Sequence, residues 1–291
     1  MVAGLKFPFS KRRPAIMNSL RKFVAALCLL AATVPVLAAG EPLQMGVFPY
    51  LPPAKLQELF DPIAADLEKA LGRKVILNSR NEYETFTQAL NRQEFDIALI
   101  HPFDYPTAHD RHGYFPLARR KDELRGLILV MADSPIRSLQ GLKGMTVTNP
   151  PREAAVSYLT SMALADAGID PIKEVRRDYG KSHFSCMQKL LIGEADACGT
   201  ARQALLHFEK EKQMTARFRV LHETTPVSHS LFVAHKRLAS KDREALKARI
   251  LDWPNTEAGR KIIDSGQFIP FVAASDKDYA SVRQIMKTID R

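Results

Sequence analysis

The sequence is poor in cysteine, with three in 291 residues, and it has a single tryptophan. So few cysteines exclude a small fold stapled by disulfides. Fourteen glycines and 18 prolines, scattered without a repeat, exclude collagen-like and low-complexity chains. Three catalytic signatures are missing as well: no Gly-x-Ser-x-Gly elbow, no His-Glu-x-x-His pair and no phosphate-binding P-loop occur. Acidic residues are absent from the first 38 positions, which carry Lys6, Lys11, Arg12, Arg13, Arg21 and Lys22. The formal charge of +10 therefore overstates the remainder, where 36 basic residues face 32 acidic ones. A balance of +4 gives no electrostatic reason to expect nucleic acid as a partner.

What is present is an ordinary globular composition, 46% hydrophobic and 25% charged, long enough for two domains with cores of their own. The basic start leads into an apolar run from Phe23 to Pro35, too short to span a bilayer comfortably, and then into Val36-Leu37-Ala38-Ala39. A basic region, a short apolar region and small residues at −3 (Val36) and −1 (Ala38) read as a secretory signal peptide over residues 1–38. Met17 heads a leader of more usual length, which marks residues 1–16 as an upstream start. The lipoprotein alternative would anchor Cys28, but the large Leu27 precedes it where a small residue is needed. No later stretch approaches 18 apolar residues, so an exported chain in an oxidising compartment is expected.

In the mature chain, Leu43 to Phe48 reads as a buried strand and Lys55 to Leu71 as an amphipathic helix stopped by Gly72. Val75–Leu77, Glu82–Leu90 and Asp96–Ile100 continue the order β-α-β-α-β. A second series repeats it in kind. Leu127–Met131 and Met145–Thr148 are strands, Arg152–Ala167 a helix, Val175 a weak strand centre, Ser182–Leu191 a helix and Ala195–Cys198 a short strand. Leu231–Ala234, helices over 241–251 and 257–264, and a last helix from Asp278 complete the reading. Alternating strands and helices imply α/β architecture with mainly parallel sheets, and a cleft between two lobes is the expected binding site.

Several blocks carry a likeness. Gly46-Val47-Phe48-Pro49-Tyr50, Phe60-Asp61-Pro62-Ile63 through Leu71-Gly72, and Phe95-Asp96-Ile97-Ala98-Leu99 resemble the phosphate/phosphite/phosphonate-binding receptors of ABC transporters. Ala132-Asp133-Ser134-Pro135-Ile136, Gly193-Glu194-Ala195-Asp196-Ala197 and Phe268-Ile269-Pro270-Phe271 follow in the same order. The resemblance implies a type 2 periplasmic binding protein: two α/β lobes with a ligand cleft between them, joined by two crossovers near Ala132 and Thr225. One lobe would take 41–130 plus 228–291 and the other 131–227. It implies a monomer in the periplasm, neither catalysis nor a cofactor, and capture of a small anionic ligand by hinge closure.

In that family a phosphonate oxyanion is held by a Ser-Thr-Ser run at a helix start, where free N–H groups and the positive helix end converge. The matching place here reads Asn149-Pro150-Pro151-Arg152-Glu153-Ala154-Ala155, without the hydroxyls. Arg152 is a candidate for bidentate oxyanion pairing or an exposed surface arginine. Glu153 is either a dipole-complementing first-turn residue or a carboxylate in the site. His183, thirteen residues before Asp196, matches a ligand-contacting histidine of the family, with Ser182 and Ser185 as neighbouring donors. His101 and Tyr105 follow the third strand, where open α/β sheets bind ligands, and Tyr50 follows the first. Ser228 and His229 lie on the return crossover.

Cys186 and Cys198 are left after processing, and three arrangements stay open for them: separate buried thiols, a disulfide, or a soft metal or metalloid site with His183. Three further readings compete with transport. A sensor subunit would report closure to a membrane histidine kinase instead of a permease. A metal or metalloid receptor would use the thiols and histidines. A secreted enzyme would need His101, His183 or His229 as general base.

Overall fold

The computed structural model describes residues 1, 3–4, 41–213, 216–266 and 268–289, and Glu41–Arg291 form one compact unit. The signal-peptide assignment, from Lys6 to the cleavage site at Ala38 and including Cys28, lies outside the described residues. Among the described residues no helix is long and apolar enough to cross a membrane.

The chain opens with β1 (Leu43–Val47), α1 (Pro53–Leu71), β2 (Val75–Leu77), α2 (Tyr83–Asn91) and β3 (Ile97–Ile100). Pro53 sits at the first position of α1, where its missing N–H costs nothing, and Gly72 ends it in the left-handed region at φ 62°. Leu56, Leu59, Phe60, Ile63 and Leu67 are buried along one face of α1. α3 (Tyr105–His112), β4 (Tyr114–Arg120) and the short β5 (Glu123–Leu124) follow.

The second series is β6 (Gly126–Met131), β7 (Thr146–Asn149), α4 (Ala155–Asp166), β8 (Arg176–Tyr179), α5 (His183–Leu191), β9 (Ala197–Ala201), α6 (Arg202–Lys212) and β10 (Phe218–Glu223). β11 (Val227–Ser228) and β12 (Leu231–His235) return, and α7 (Ser240–Leu251), α8 (Glu257–Gly266), β13 (Phe271–Ala273) and α9 (Ala280–Ile289) close the chain.

These strands form a six-stranded sheet of order β13-β4-β12-β3-β1-β2 and a five-stranded sheet of order β10-β6-β9-β7-β8. Each sheet is mixed, which corrects the expectation of mainly parallel sheets. β2-β1-β3 and β8-β7-β9 are parallel, whereas β12, β4 and β13, like β6 and β10, pair antiparallel. Both sheets are buried on both faces. Ile97 and Leu99 join the core under α1 and α7, while Ala98 and Ile100 join Phe86, Phe95, Tyr105 and Tyr279 on the other side. In β6, Ile128 and Val130 face one core and Leu127 and Leu129 the other, the period of two that a strand imposes.

The chain crosses between sheets twice, at β5 and β11, and these segments pair with each other: Val227 opposes Leu124 and Ser228 opposes Glu123. The lobe boundary expected between 130 and 131 therefore falls at Glu123–Leu124, because β6 pairs with β10 and β9 inside the second sheet. The crossover expected near Ala132 moves with it, and Ala132 instead continues the β6–β10 ladder through its N–H to Arg217 O at 2.9 Å.

One device recurs in both lobes. Asp96 Oδ2 accepts from Gln44 N at 2.7 Å, tying the start of β3 to β1, and Asp196 Oδ2 accepts from Thr146 N at 2.8 Å, tying β9 to β7. Asp96 additionally accepts from Arg237 Nε at 2.5 Å, and that guanidinium also donates to Gln93 O and Phe95 O at 2.6 Å each.

Cys186 on α5 and Cys198 on β9 form a disulfide, with Cα atoms 5.8 Å apart and a separation of 12 positions in sequence. Both are fully buried among Leu127, Leu129, Met187, Leu190, Leu205 and Phe208. Sulfurs bonded to each other supply no thiolate, so the soft metal or metalloid receptor is corrected to a structural cross-link. Among the described residues no group of three or more His, Cys, Asp or Glu is placed to hold a metal ion. Closing a loop of this length removes chain entropy from the unfolded state worth about 3 kcal/mol.

The repeated carboxylates give an expected contrast. Asp196→Ala deletes one backbone acceptor and should cost about 1 kcal/mol, while Asp96→Ala also removes the charged partner of the half-exposed Arg237 and should cost about 2 kcal/mol. Urea unfolding midpoints of the two variants measure the difference, and equal losses would deny Arg237 its role.

Candidate functional site

The registers bring specific ends of strands to one edge of each sheet. In the first sheet the ends of β1, β3 and β4 lie beside the start of β12, since Ile100 opposes Leu231 and Leu231 opposes Arg119. Phe48, Tyr50, His101, Arg120 and His229 therefore cluster although up to 181 residues separate them in sequence. In the second sheet the ends of β7, β8 and β9 bring Asn149, Tyr179 and Thr200 together. Both crossovers leave from these edges, so each edge faces the other across the hinge.

On the first lobe, His101 is buried and its Nδ1 accepts from Phe103 N at 3.2 Å, which places the neutral ring's proton on Nε2. Nε2 lies 3.1 Å from Asp104 Oδ2, and Asp104 Oδ1 accepts from Thr87 Oγ1 at 3.2 Å. Burial drives the pair in opposite directions, His101 down and Asp104 up, and their mutual attraction only partly opposes this. Phe48 packs on Tyr50 at 4.9 Å, Tyr83 at 6.2 Å and His101 at 5.9 Å between ring centroids. Burial raises the Tyr50 and Tyr83 hydroxyls well above the ordinary phenol range, so both remain protonated donors.

Arg120 makes a two-point contact with Asp122, at 3.0 Å and 2.7 Å, which offsets its charge. His229 Nδ1 accepts from Ser230 N at 2.7 Å, and burial followed by the Arg120 charge lowers its pKa to about 3.

On the second lobe, α5 starts at His183 because Ser182 and Ser185 form a reciprocal cap. Ser185 N donates to Ser182 Oγ at 3.2 Å, and Ser182 N donates to Ser185 Oγ at 3.0 Å. The two serines expected as ligand donors are thus spent on the helix start. His183 Nδ1 and Thr200 Oγ1 share a hydrogen bond of 3.1 Å, and desolvation lowers the ring's pKa to about 4. Gly199, next to Thr200, has no room for a Cβ, which would overlap Asn149 Oδ1 and Thr160 Oγ1. α4 starts at Ala155 with no side-chain cap, leaving its first N–H groups facing outward from the helix end.

Glu153 lies near enough to both lobes for its charge to influence His101 and Asp104 of the other lobe and Tyr179 of its own, as the least of the influences on each. Phe103 and Tyr158 stack face to face across the lobes, 4.6 Å apart and 8° from parallel.

Of the residues singled out in the sequence, Tyr50, His101, His183 and His229 sit on these two edges. Arg152 is exposed at the rim, where its charge reaches Tyr179. Ser228 lies in the crossover itself, opposite Glu123. Tyr105 is placed elsewhere: its hydroxyl donates to Asp276 Oδ1 at 3.2 Å and its ring packs on Tyr279 at 4.5 Å, inside the first lobe's core. Tyr83, Arg120, Tyr179 and Thr200 escaped the sequence reading. Tyr83 offered one signal, a hydroxyl on the apolar face of a short helix. The others are set by register.

Together the edges present neutral imidazoles and phenols, His101 buried and the others half-buried, as donors, with Glu153 as one unpaired acceptor. Neutral donors in a desolvated cleft can hold an oxyanion while the site carries little opposing charge of its own.

A family model described as ABC transporter, phosphonate, periplasmic substrate-binding protein matches residues 45–279. Among solved structures, the binding protein of an ABC phosphonate transporter from Pseudomonas aeruginosa superposes with a TM-score of 0.73 at 18% identity, covering 86% of each chain. A protein from Prochlorococcus marinus in complex with methylphosphonate gives a TM-score of 0.74 at 18% identity, over 86% of this chain and 98% of that one. One from Xanthomonas citri bound to ATP gives 0.72 at 14% identity, over 86% and 97%. These likenesses establish the two-lobed fold of type 2 periplasmic binding proteins. No curated protein matches the chain significantly.

His183 yields a pH expectation. Its neutral ring is held in the folded state, while the unfolded chain takes up a proton below about 6.5. Its contribution is thus present above that value and lost as pH falls toward about 4. For a half-buried ring still meeting some solvent, about 1–2 kcal/mol is the expected loss. Urea titrations between pH 4 and 7 should show a shallower decline in His183→Gln than in the wild type, and parallel curves would contradict it.

Proposed function

The chain belongs to the family of periplasmic phosphonate-binding proteins of ABC transporters, and on that premise we propose that its cleft encloses a small phosphonate-class oxyanion and presents it to a membrane permease. The leader is cleaved after Ala38 on export, and the mature chain binds its ligand without turning it over.

The observation that carries this reading is that the two lobes meet beside one set of groups, where Phe103 of the first stacks on Tyr158 of the second at 4.6 Å and Glu153 lies near enough to influence His101 and Asp104. Such a set responds to the angle between lobes, so a ligand bridging it favours the closed state by its differential affinity. Oxyanion oxygens would be met by the hydroxyls of Tyr50, Tyr83 and Tyr179, by His183 Nε2 and by the uncapped start of α4, in place of the family's hydroxyl run. Glu153 then selects among oxyanions. A carboxylate repels a fully ionised oxyanion but accepts a hydrogen bond from one that still carries a proton, as a phosphonate monoanion does and a sulfonate does not.

Thermal unfolding of the exported chain with methylphosphonate, phosphite, phosphate and methylsulfonate tests the class. A ligand at a thousand times its dissociation constant adds about 4 kcal/mol, a rise of roughly 10 °C for a chain of this size. Stabilisation by methylsulfonate alone, or by none of the four, would overturn the reading. The role of Glu153 has its own test. Glu153→Gln should weaken methylphosphonate about tenfold or more while narrowing its advantage over methylsulfonate, since hydrogen bonds to charged groups contribute about 1.5–3 kcal/mol. Calorimetric titration reads both.

A further inference from the structure

The Cys186–Cys198 bond joins the same two elements that carry His183 and Thr200. Cys186 follows His183 by three residues on α5, so both lie on one side of the helix. Cys198 precedes Thr200 by two residues on β9, so both point to one face of the strand. The pairs meet as adjacent rungs: a covalent one with Cα atoms 5.8 Å apart, and a hydrogen bond of 3.1 Å between His183 Nδ1 and Thr200 Oγ1 at the cleft edge.

We propose that the disulfide is a positioning device, which holds α5 in register along β9 so that His183 stays paired with Thr200 at the ligand edge. The apolar contacts of Met187, Leu190, Leu205 and Phe208 press the helix onto the sheet. Such contacts are non-directional and set depth better than register. α5 has nine residues, too few to stiffen it by its own hydrogen bonds. The Ser182–Ser185 cap stabilises the helix start but reaches no residue of β9. Lys189, toward the other end of α5, donates to both Asp178 oxygens on β8 at 2.9 and 2.7 Å, so the covalent rung is the tie that fixes the first turn of α5, with His183, along β9 itself.

The test is nuclear magnetic resonance of the exported chain with labelled histidine. In the wild type the His183 ring is expected to titrate at about 4. In Cys186→Ala/Cys198→Ala it should move up by a unit or more toward 6.5, its ordinary value. A second variant, Cys186→Val/Cys198→Ala, returns apolar volume without the bond and should behave like the first. Wild-type titration in either variant, with only a lowered melting temperature, would overturn the proposal and leave the bond a plain stabiliser. Failure of both variants to fold would overturn it in the same sense.

An affinity arm rests on the phosphonate reading above. Methylphosphonate binding should fall about tenfold in the double-alanine variant, and adding His183→Ala should weaken it no further than His183→Ala alone, because the two act through one group. If methylphosphonate fails to bind the wild type, the ligand reading falls by itself and the titration still decides the positioning role.

Discussion

The site depends on a constraint of connectivity: the chain passes between its two sheets twice, and both passages leave from the same strand edge. Because β5 and β11 pair with each other, the edges cannot drift apart independently. A rotation about this short ribbon changes the gap between them and slides α4 against α9, whose Val282 and Ile285 share a buried cluster with Leu159. The ends of β1, β3, β7, β8 and β9 are thus committed to a common cleft before any side chain is chosen, which is where open α/β sheets place ligands.

Burial sets the chemistry of that cleft. Desolvation is the largest influence on His101, Asp104, His183, His229, Tyr50 and Tyr83, and in each case it favours the neutral form. Arg120, the nearest strong cation on the first lobe, is offset by Asp122. The molecule therefore keeps donors at the edge without paying the full desolvation cost of several unpaired charges. The disulfide plays a comparable part, making one contact independent of how well the surrounding apolar residues happen to pack.

Much of the architecture is legible in the sequence where apolar patterning is strong. β1, α1, β3, β6 and β7 appear as alternating or continuous hydrophobic runs because they are buried on one or both faces. The repeat of the two lobes is visible in Phe95-Asp96-Ile97 and Ala195-Asp196-Ala197, whose carboxylates make the same backbone bond. What escaped reading has little local pattern. α3 carries Pro106 and four charged or histidine residues in its eight, β4 contains Pro116 and ends in two arginines, and β10 is half exposed. Their antiparallel pairing comes from partners more than 80 residues away, so the sheets appeared parallel and the lobe boundary lay too late. In the site, histidines stand out as residue types, whereas Thr200 and Arg120 gain meaning only from register. Tyr105 shows the converse, since an aromatic beside His101 in sequence turns into the core one residue after the strand-end loop.

The second sheet is built from one uninterrupted stretch, 126–223, set inside a first sheet assembled from both ends of the chain. Export threads the polypeptide from its N-terminus, so the inner lobe has all of its strands while the outer lobe still lacks β12, which belongs between β3 and β4. Until that strand emerges, β3 and β4 present open edges of the kind that invite pairing with other chains. Assembly of the outer lobe thus waits on residues 227–291, and those edges stay exposed in the interval.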